Sequence, residues 1–160
     1  MWQELAATLN ELNKIYQQML EIGKRKRTVL VALDMKALEG IIKEEEPLIR
    51  RINALEQDRQ KALIHLAVEN RNITKDTQMS EVLNLAPGEL QPVLRQLYQS
   101  LTVNTGAVSE LRDANNILIR AAMNAAAYHL NRIGGAKVEP AYGEGGGEVV
   151  SHRKNFEFDA

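Results

Sequence analysis

The stretch LQPVLRQLYQSLTVNTGAVSELRDANNILIRAAMNA, residues 90–125, carries the longest helical pattern in the chain. Apolar side chains and two asparagines recur every three or four residues, at Leu90, Leu94, Leu97, Leu101, Asn104, Val108, Leu111, Asn115, Leu118, Ala122 and Ala125. This spacing places them on one face of an α-helix that packs against other helices. Pro92 fits the first turn, where its missing N–H has no helical partner. The pattern predicts one long helix over residues 88–133, with a bend or break expected at Gly106.

The sequence changes character at Gly134 and Gly135, which predict the end of that helix. Residues 134–160 hold most of the glycine in the chain and show no helical period. Such a composition cannot bury enough apolar surface to fold alone. We therefore predict a helical bundle domain over residues 1–133 and a Gly-rich flexible tail over residues 134–160. The only two phenylalanines, Phe156 and Phe158, lie in this tail.

Two further apolar stripes precede the long helix. The first contains Leu5, Leu9, Leu12, Tyr16 and Met19 and resumes at Leu30 and Leu33, and the second contains Leu38, Ile41, Ile42, Leu48, Ile52, Leu55, Ala62, Leu63 and Leu66. Asp34, between them, is typical of a helix N-cap. A single glycine, Gly23, is not expected to end the first helix, whereas Pro47 is expected to kink the second. The short turn predicts an antiparallel helical hairpin.

A polar loop is predicted over residues 70–80, followed by a short helix from Ser80 to Leu85 with Ser80 as its possible cap. The fold class that follows is all-α. We expect a long antiparallel helical hairpin and a long C-terminal helix, forming a three-helix, coiled-coil-like bundle, with the flexible tail after it. The high content of Ala, Leu, Glu, Lys, Gln and Arg favours this class, because these residues lose little side-chain freedom on a helix.

Several polar residues near the stripes have two interpretations. Glu45 and Arg59 are expected to pack their aliphatic stems and to extend their charged groups into solvent. The basic run at residues 24–27 is interpreted as a solvated helix face, with a protein contact or a phosphate-binding patch as alternatives. Asn104 and Asn115 are predicted to be buried amides that fix helix register. The alternative is that this part of the stripe faces a partner.

The composition narrows the class of protein. The chain has no cysteine and a net charge of -1, so neither thiolate chemistry nor a general affinity for nucleic acid is expected. The first residues show no basic segment followed by an apolar run, so no signal peptide is expected, and there is no run of the roughly 20 apolar residues that span a bilayer. We therefore expect a cytoplasmic protein that does not insert into membranes.

No Glu-x-x-His pair, phosphate-binding loop or other metal or cofactor motif is present, so we expect a non-enzymatic binding protein without a cofactor.

The arrangement resembles that of the FlgN-type flagellar export chaperones over roughly residues 2–145. The first stripe and the aspartate at the turn look like the first hairpin of that family. Leu48, Leu55, Glu56 and Arg59 resemble its L-x6-LE-x2-R stretch; Leu111, Asn115, Asn116 and Leu118 resemble its Leu-x3-Asn-rich-Leu signature; and Tyr142-Gly143 resembles its Tyr-Gly element.

The resemblance implies a cytoplasmic type III export chaperone. Such a protein binds the terminal helices of hook–filament junction proteins through its C-terminal part, prevents their premature assembly and delivers them to the flagellar export apparatus. The Ala-rich, low-relief end of the long helix independently favours a helix-in-groove contact there. The residues predicted to bind the client are Leu111, Asn115, Leu118, Ile119, Ala122, Tyr128, Tyr142, Phe156 and Phe158.

Two other functions are open at this stage. The same stripes could serve a self-associating coiled-coil scaffold or adaptor, which would form a stable oligomer at all concentrations. A nucleic-acid binder that uses the basic run would lose affinity steeply with salt.

Overall fold

The computed structural model describes residues 1–74 and 76–134 of the chain, and this part is all-helical, with no strand. The four helices are α1 (Trp2–Val31), α2 (Met35–Glu69), α3 (Met79–Asn84) and α4 (Gln91–Gly134). The predicted fold class, a long helical hairpin followed by a long C-terminal helix, is confirmed. The predictions for residues 135–160, including the flexible tail, lie outside the described residues.

The turn between α1 and α2 is closed by local hydrogen bonds. The N–H of Asp34 donates to the Val29 carbonyl at 3.0 Å, and Leu33 adopts a left-handed conformation with φ 56°. This is the pattern of a Schellman C-cap. The Asp34 side chain then accepts a hydrogen bond from the N–H of Ala37 at 3.0 Å, which confirms the predicted N-cap of α2.

Contacts between the long helices fix their directions. Ion pairs join Arg25 to Glu44 at 2.7 Å and Lys26 to Glu45 at 2.9 Å, as expected when α2 runs back along α1. By contrast, α4 runs parallel to α1. The Asn13 amide of α1 contacts the start of α4, whereas Gly23, farther along α1, contacts Asn115. α1 makes the main contacts of both α2 and α4.

The hydrophobic core is concentrated at one end of the molecule, which we call the packed end. There the first half of α1 meets the second half of α2, α3 and the first half of α4. The buried residues of this core are Leu5, Leu9, Leu12, Ile15, Tyr16, Ile52, Leu55, Ala62, Leu66, Ile73, Met79, Val82, Leu83, Ala86, Leu94 and Leu101. At the opposite end α4 continues past the hairpin. Gly23 and Asn115 are hydrogen-bonded and therefore lie side by side on the two parallel helices. Eight residues of α1 follow Gly23 but 19 residues of α4 follow Asn115, so α4 extends about 11 residues, or ~16 Å, beyond α1.

The structure corrects three predictions about helix boundaries. α4 begins at Gln91 rather than at residue 88, and it passes through Gly106 without the predicted break. One glycine destabilises a helix by only about 1 kcal/mol, which the hydrogen bonds on both sides of it outweigh. α3 begins at Met79 after Gln78, so Ser80 lies inside the helix and is not its cap. Pro47 lies inside α2, which continues on both sides of it, and the kink expected there stays a prediction.

The charged residues near the stripes are also placed differently from the prediction. Arg59 is 1% exposed, and its Nε donates to Glu56 at 3.0 Å, so its charged group is not in solvent. The carboxylate of Glu45 is likewise turned to Lys26 and is largely shielded from solvent. Because Arg25 and Lys26 bridge to α2, the basic run is not simply a solvated face. It helps to hold the hairpin together.

Candidate functional site

The C-terminal part of α4, residues 117–134, ends about 11 residues past the end of α1, and apart from the buried Ala127 its side chains are exposed or half-buried. We call residues 117–134 the overhang. Four large apolar side chains on it are exposed, namely Ile117, Tyr128, Leu130 and Ile133. Clusters of exposed apolar residues on a monomer commonly mark a protein-binding surface. The overhang is therefore the candidate functional site.

The overhang contains basic residues and no acidic ones. Residues 114–134 contain Arg120, His129 and Arg132 but neither Asp nor Glu. The Arg132 guanidinium donates to the Tyr128 hydroxyl at 3.4 Å, and the ring of Tyr128 meets that of His129 edge to face at 5.7 Å. These contacts hold the aromatic group on the exposed side of the last turns. The surface thus combines apolar area with positive charge and fits an amphipathic, acidic partner.

The predicted site residues divide into three groups. Leu111 and Asn115 belong to the contact with α1, because Leu111 packs at Gly23 and the buried Asn115 amide donates to the Gly23 carbonyl at 3.0 Å. Leu118, Ile119 and Ala122 lie next along α4 and are half-buried. Tyr128 is exposed on the overhang. Tyr142, Phe156 and Phe158 lie outside the described residues.

The asparagines of the long stripe are internal. Asn104 donates to Oδ1 of Asn13 at 3.0 Å, and Asn13 donates to the Leu97 carbonyl at 2.9 Å. Asn115 is only 2% exposed. Asn115 is therefore buried as predicted, whereas Asn104 is half-buried, and the role of both amides in fixing the register of α1 and α4 stays a prediction. In this arrangement the Asn115 side chain does not present itself to a partner.

Sequence reasoning missed Ile117, Leu130 and Ile133. These residues fall outside the apolar stripe and give no periodic signal of their own. Their exposure becomes significant only once α4 is known to extend past α1. An available signal was the absence of acidic residues from 114 to 134, together with the basic residues Arg120, His129 and Arg132.

A second apolar surface lies at the packed end. A groove of about 500 Å³ is lined by the end of α2, the loop after it and α3, with Ile64 and Val68 exposed at its edge. The buried Arg59 also contributes to its wall. This groove is distant from the overhang, and no predicted site residue lines it.

Buried titratable groups occur between α1 and α2. Burial raises the pKa of Glu56 even though Arg59 lies beside it and acts in the opposite direction. Burial also raises the pKa of the Tyr16 hydroxyl, and the negative charge of Glu56 adds to this effect. Among the described residues no three His, Cys, Asp or Glu side chains are grouped to hold a metal ion.

No helix in the described part of the chain has the length and apolar character needed to cross a membrane.

Comparison with known proteins gives one match. A family model described as "FlgN protein" matches residues 1–149, which include every described residue and the start of the segment after α4. No curated protein and no solved structure matches the chain.

Proposed function

The chain belongs to the FlgN family of flagellar export chaperones, and from this membership we propose that it carries hook–filament junction proteins to the export apparatus. The chaperone acts by binding alone, without a catalytic step or a cofactor. In this proposal it meets its clients in the cytoplasm, shields their terminal helices from premature assembly and delivers them to the flagellar type III export apparatus.

The observation that carries the proposal is the overhang. A helix that extends ~16 Å beyond its neighbour, with apolar side chains left exposed, has surface available for a second helix. Its exposed alanines, at Ala121, Ala125 and Ala126, allow the backbone of a partner to approach closely. A client helix would dock through apolar anchors at i, i+3, i+4 and i+7.

We assign the client face to Leu118, Ile119, Ala122 and Tyr128, and extend it to Ile117 and Leu130 on account of their exposure. Leu111 and Asn115 act indirectly in this proposal, because they anchor α4 to α1 and thereby position the overhang. Tyr142, Phe156 and Phe158 are proposed as further anchors beyond α4. Anchors on a separate segment add affinity through linkage and can release one at a time.

A direct test is calorimetric titration with the terminal helical region of a hook–filament junction protein. We expect Leu130→Asp and Tyr128→Ala to weaken binding by at least about tenfold each, since truncating a central apolar anchor commonly costs more than 1 kcal/mol. Ile64→Asp is the matched control, because Ile64 on α2 is as exposed as Leu130, at 64% against 54%, but lies at the packed end. Far-UV circular dichroism should show the same helicity for all variants.

Equal affinities for the overhang variants and the Ile64→Asp control would reject the assigned client face. The alternative function, a self-associating scaffold or adaptor, predicts a different result. In that case the protein would form an oligomer that persists on dilution in light scattering, and the titration would show no binding of the junction protein.

A further inference from the structure

The turn between α1 and α2 carries an exposed apolar cluster that the client face does not use. We call it the hairpin tip and define it as Arg27, Val31, Leu33, Met35 and Lys36. Its three apolar side chains are 67%, 65% and 50% exposed in chain order. Arg27 lies four residues before Val31 and therefore on the same side of α1. The tip combines apolar surface with two cations.

Leu33 gives the tip a feature that a simple solvent-exposed turn would lack. It is the only non-glycine residue with a positive φ in the described part of the chain. Glycine is the residue that adopts this conformation without strain. A leucine here adds backbone strain and also exposes an apolar side chain, so its presence points to a contact made by that side chain.

The cations of the tip lack acidic partners within the described residues. Neither Arg27 nor Lys36 forms an ion pair there, although neighbouring bases do. Asp34, the carboxylate within the turn, is engaged in capping α2. A complementary ligand would therefore supply apolar anchors together with carboxylates.

Such a segment is present in this chain. Residues 156–159 read Phe-Glu-Phe-Asp, in which two aromatic residues alternate with two acidic ones. Its composition matches the requirements of the hairpin tip.

The chain is long enough to bring this segment to its own tip. α4 ends at Gly134, about 11 residues or ~16 Å past the end of α1. Residues 135–155 number 21 and can span up to ~70 Å when extended. Because the segment is covalently attached, its effective concentration at the tip is high, on the order of millimolar, and a weak contact suffices.

We propose that residues 156–159 dock on the hairpin tip of their own chain, with the two phenylalanine rings against Val31, Leu33 and Met35 and the carboxylates near Arg27 and Lys36. This contact does not require a client. If Phe156 and Phe158 also serve as client anchors, a consequence that rests on the proposed function, then client binding and docking compete for the same rings.

Paramagnetic relaxation in the client-free, full-length protein tests this contact. The chain has no cysteine, so Asn155→Cys provides a single site for a nitroxide label beside the docking segment. We expect loss of the amide signals of residues 31–36. Replacing both phenylalanines by serine should restore these signals, and so should Lys36→Glu or Leu33→Gly. Ile64→Ser, at the packed end, should leave the signal loss unchanged.

The remaining outcomes distinguish other arrangements and overturn the proposal. Signal loss that persists in the phenylalanine double variant would mean that the label reaches the tip without docking. Loss confined to residues 117–134 would place the segment on the overhang instead. Loss that appears only when labelled protein is mixed with a second, isotope-enriched copy would mean docking between molecules. Each result is independent of whether a junction protein binds.

Discussion

Glu56 and Arg59 form a buried ion pair one turn apart on α2, with a separation of 3.0 Å and side chains 4% and 1% exposed, respectively. Removing two charges from water costs several kcal/mol for each ion, and their attraction offsets this only in part. The second carboxylate oxygen, Oε1 of Glu56, has no hydrogen-bond partner within the described structure. The raised pKa of Glu56 follows from this incomplete compensation.

The raised pKa predicts how stability depends on pH. A folded-state pKa above the unfolded value, near 4.5, means that the folded protein binds this proton more tightly. The stabilising contribution is complete below that pH and is lost as the pH rises through the folded pKa. We expect the free energy of unfolding of the native sequence, relative to Glu56→Gln, to fall as the pH increases from about 4.5. Urea denaturation of both proteins across the acid range measures this difference.

Glu44→Gln provides the control of opposite sign. The hydrogen bond from Arg25 lowers the pKa of the exposed Glu44 carboxyl, so its contribution is present above the unfolded pKa and is lost as the pH falls. If the difference in unfolding free energy between the native sequence and Glu56→Gln rose with pH, as expected for Glu44→Gln, the effect of Arg59 on the pKa of Glu56 would outweigh that of burial.

Some features of single residues could be predicted from the sequence, and others could not. The N-cap at Asp34 was predictable because its hydrogen bond to Ala37 joins groups three residues apart. The burial of Arg59 was not, because it depends on which face of α2 turns toward α1 and α3. A residue one turn from a buried glutamate could equally have reached solvent.

At the element scale, the contact between α1 and α4 depends on close approach at Gly23. A Cβ atom added there would lie 2.8 Å from Cδ2 of Leu111. Beside it, the Asn115 amide donates to the Gly23 carbonyl, and about three turns away the Asn104 amide donates to Asn13. A shift of α4 by one turn would unpair these amides, which favours the interpretation that they set the register and hence the length of the overhang.

Two glycine substitutions test this packing. Gly23→Ala should destabilise the protein by about 1–3 kcal/mol, the usual range for overpacking, reduced by the better helix propensity of alanine. Gly40→Ala on α2 should instead stabilise it by about 0.5–1 kcal/mol, because the space around Gly40 is open. Thermal and urea unfolding report both changes. If Gly23→Ala were as stabilising as Gly40→Ala, Leu111 would be free to move and the contact would not fix the register.

The apolar periodicity of the sequence predicted some features of the helices but not others. Periodicity located three long helices, and Gly23 was correctly expected not to interrupt α1. The break predicted at Gly106 failed because a helix 44 residues long has hydrogen bonds on both sides of one unfavourable residue. The parallel direction of α4 relative to α1 was not predictable from spacing, since a stripe has the same period in both directions.

At the scale of the whole molecule, the two ends differ in how much apolar surface they cover. The packed end buries the side chains of four helices in one core. The other end leaves the hairpin tip and the overhang exposed. The sequence indicated the C-terminal half of α4 as the binding region, but the length of the overhang could not be predicted from it. That length follows from the register between α1 and α4, a contact between residues about 90 positions apart.

Amide hydrogen exchange with and without a junction-protein terminal region tests the central claim most directly, because it maps the client on the unmodified full-length chaperone. In the free protein we expect the amides of residues 124–134 to exchange fastest among those of α4, since they lie beyond α1. Client binding should slow exchange across residues 117–134 and leave α3 unchanged. Slowed exchange confined to the end of α2 and α3, at the groove of the packed end, would contradict the account.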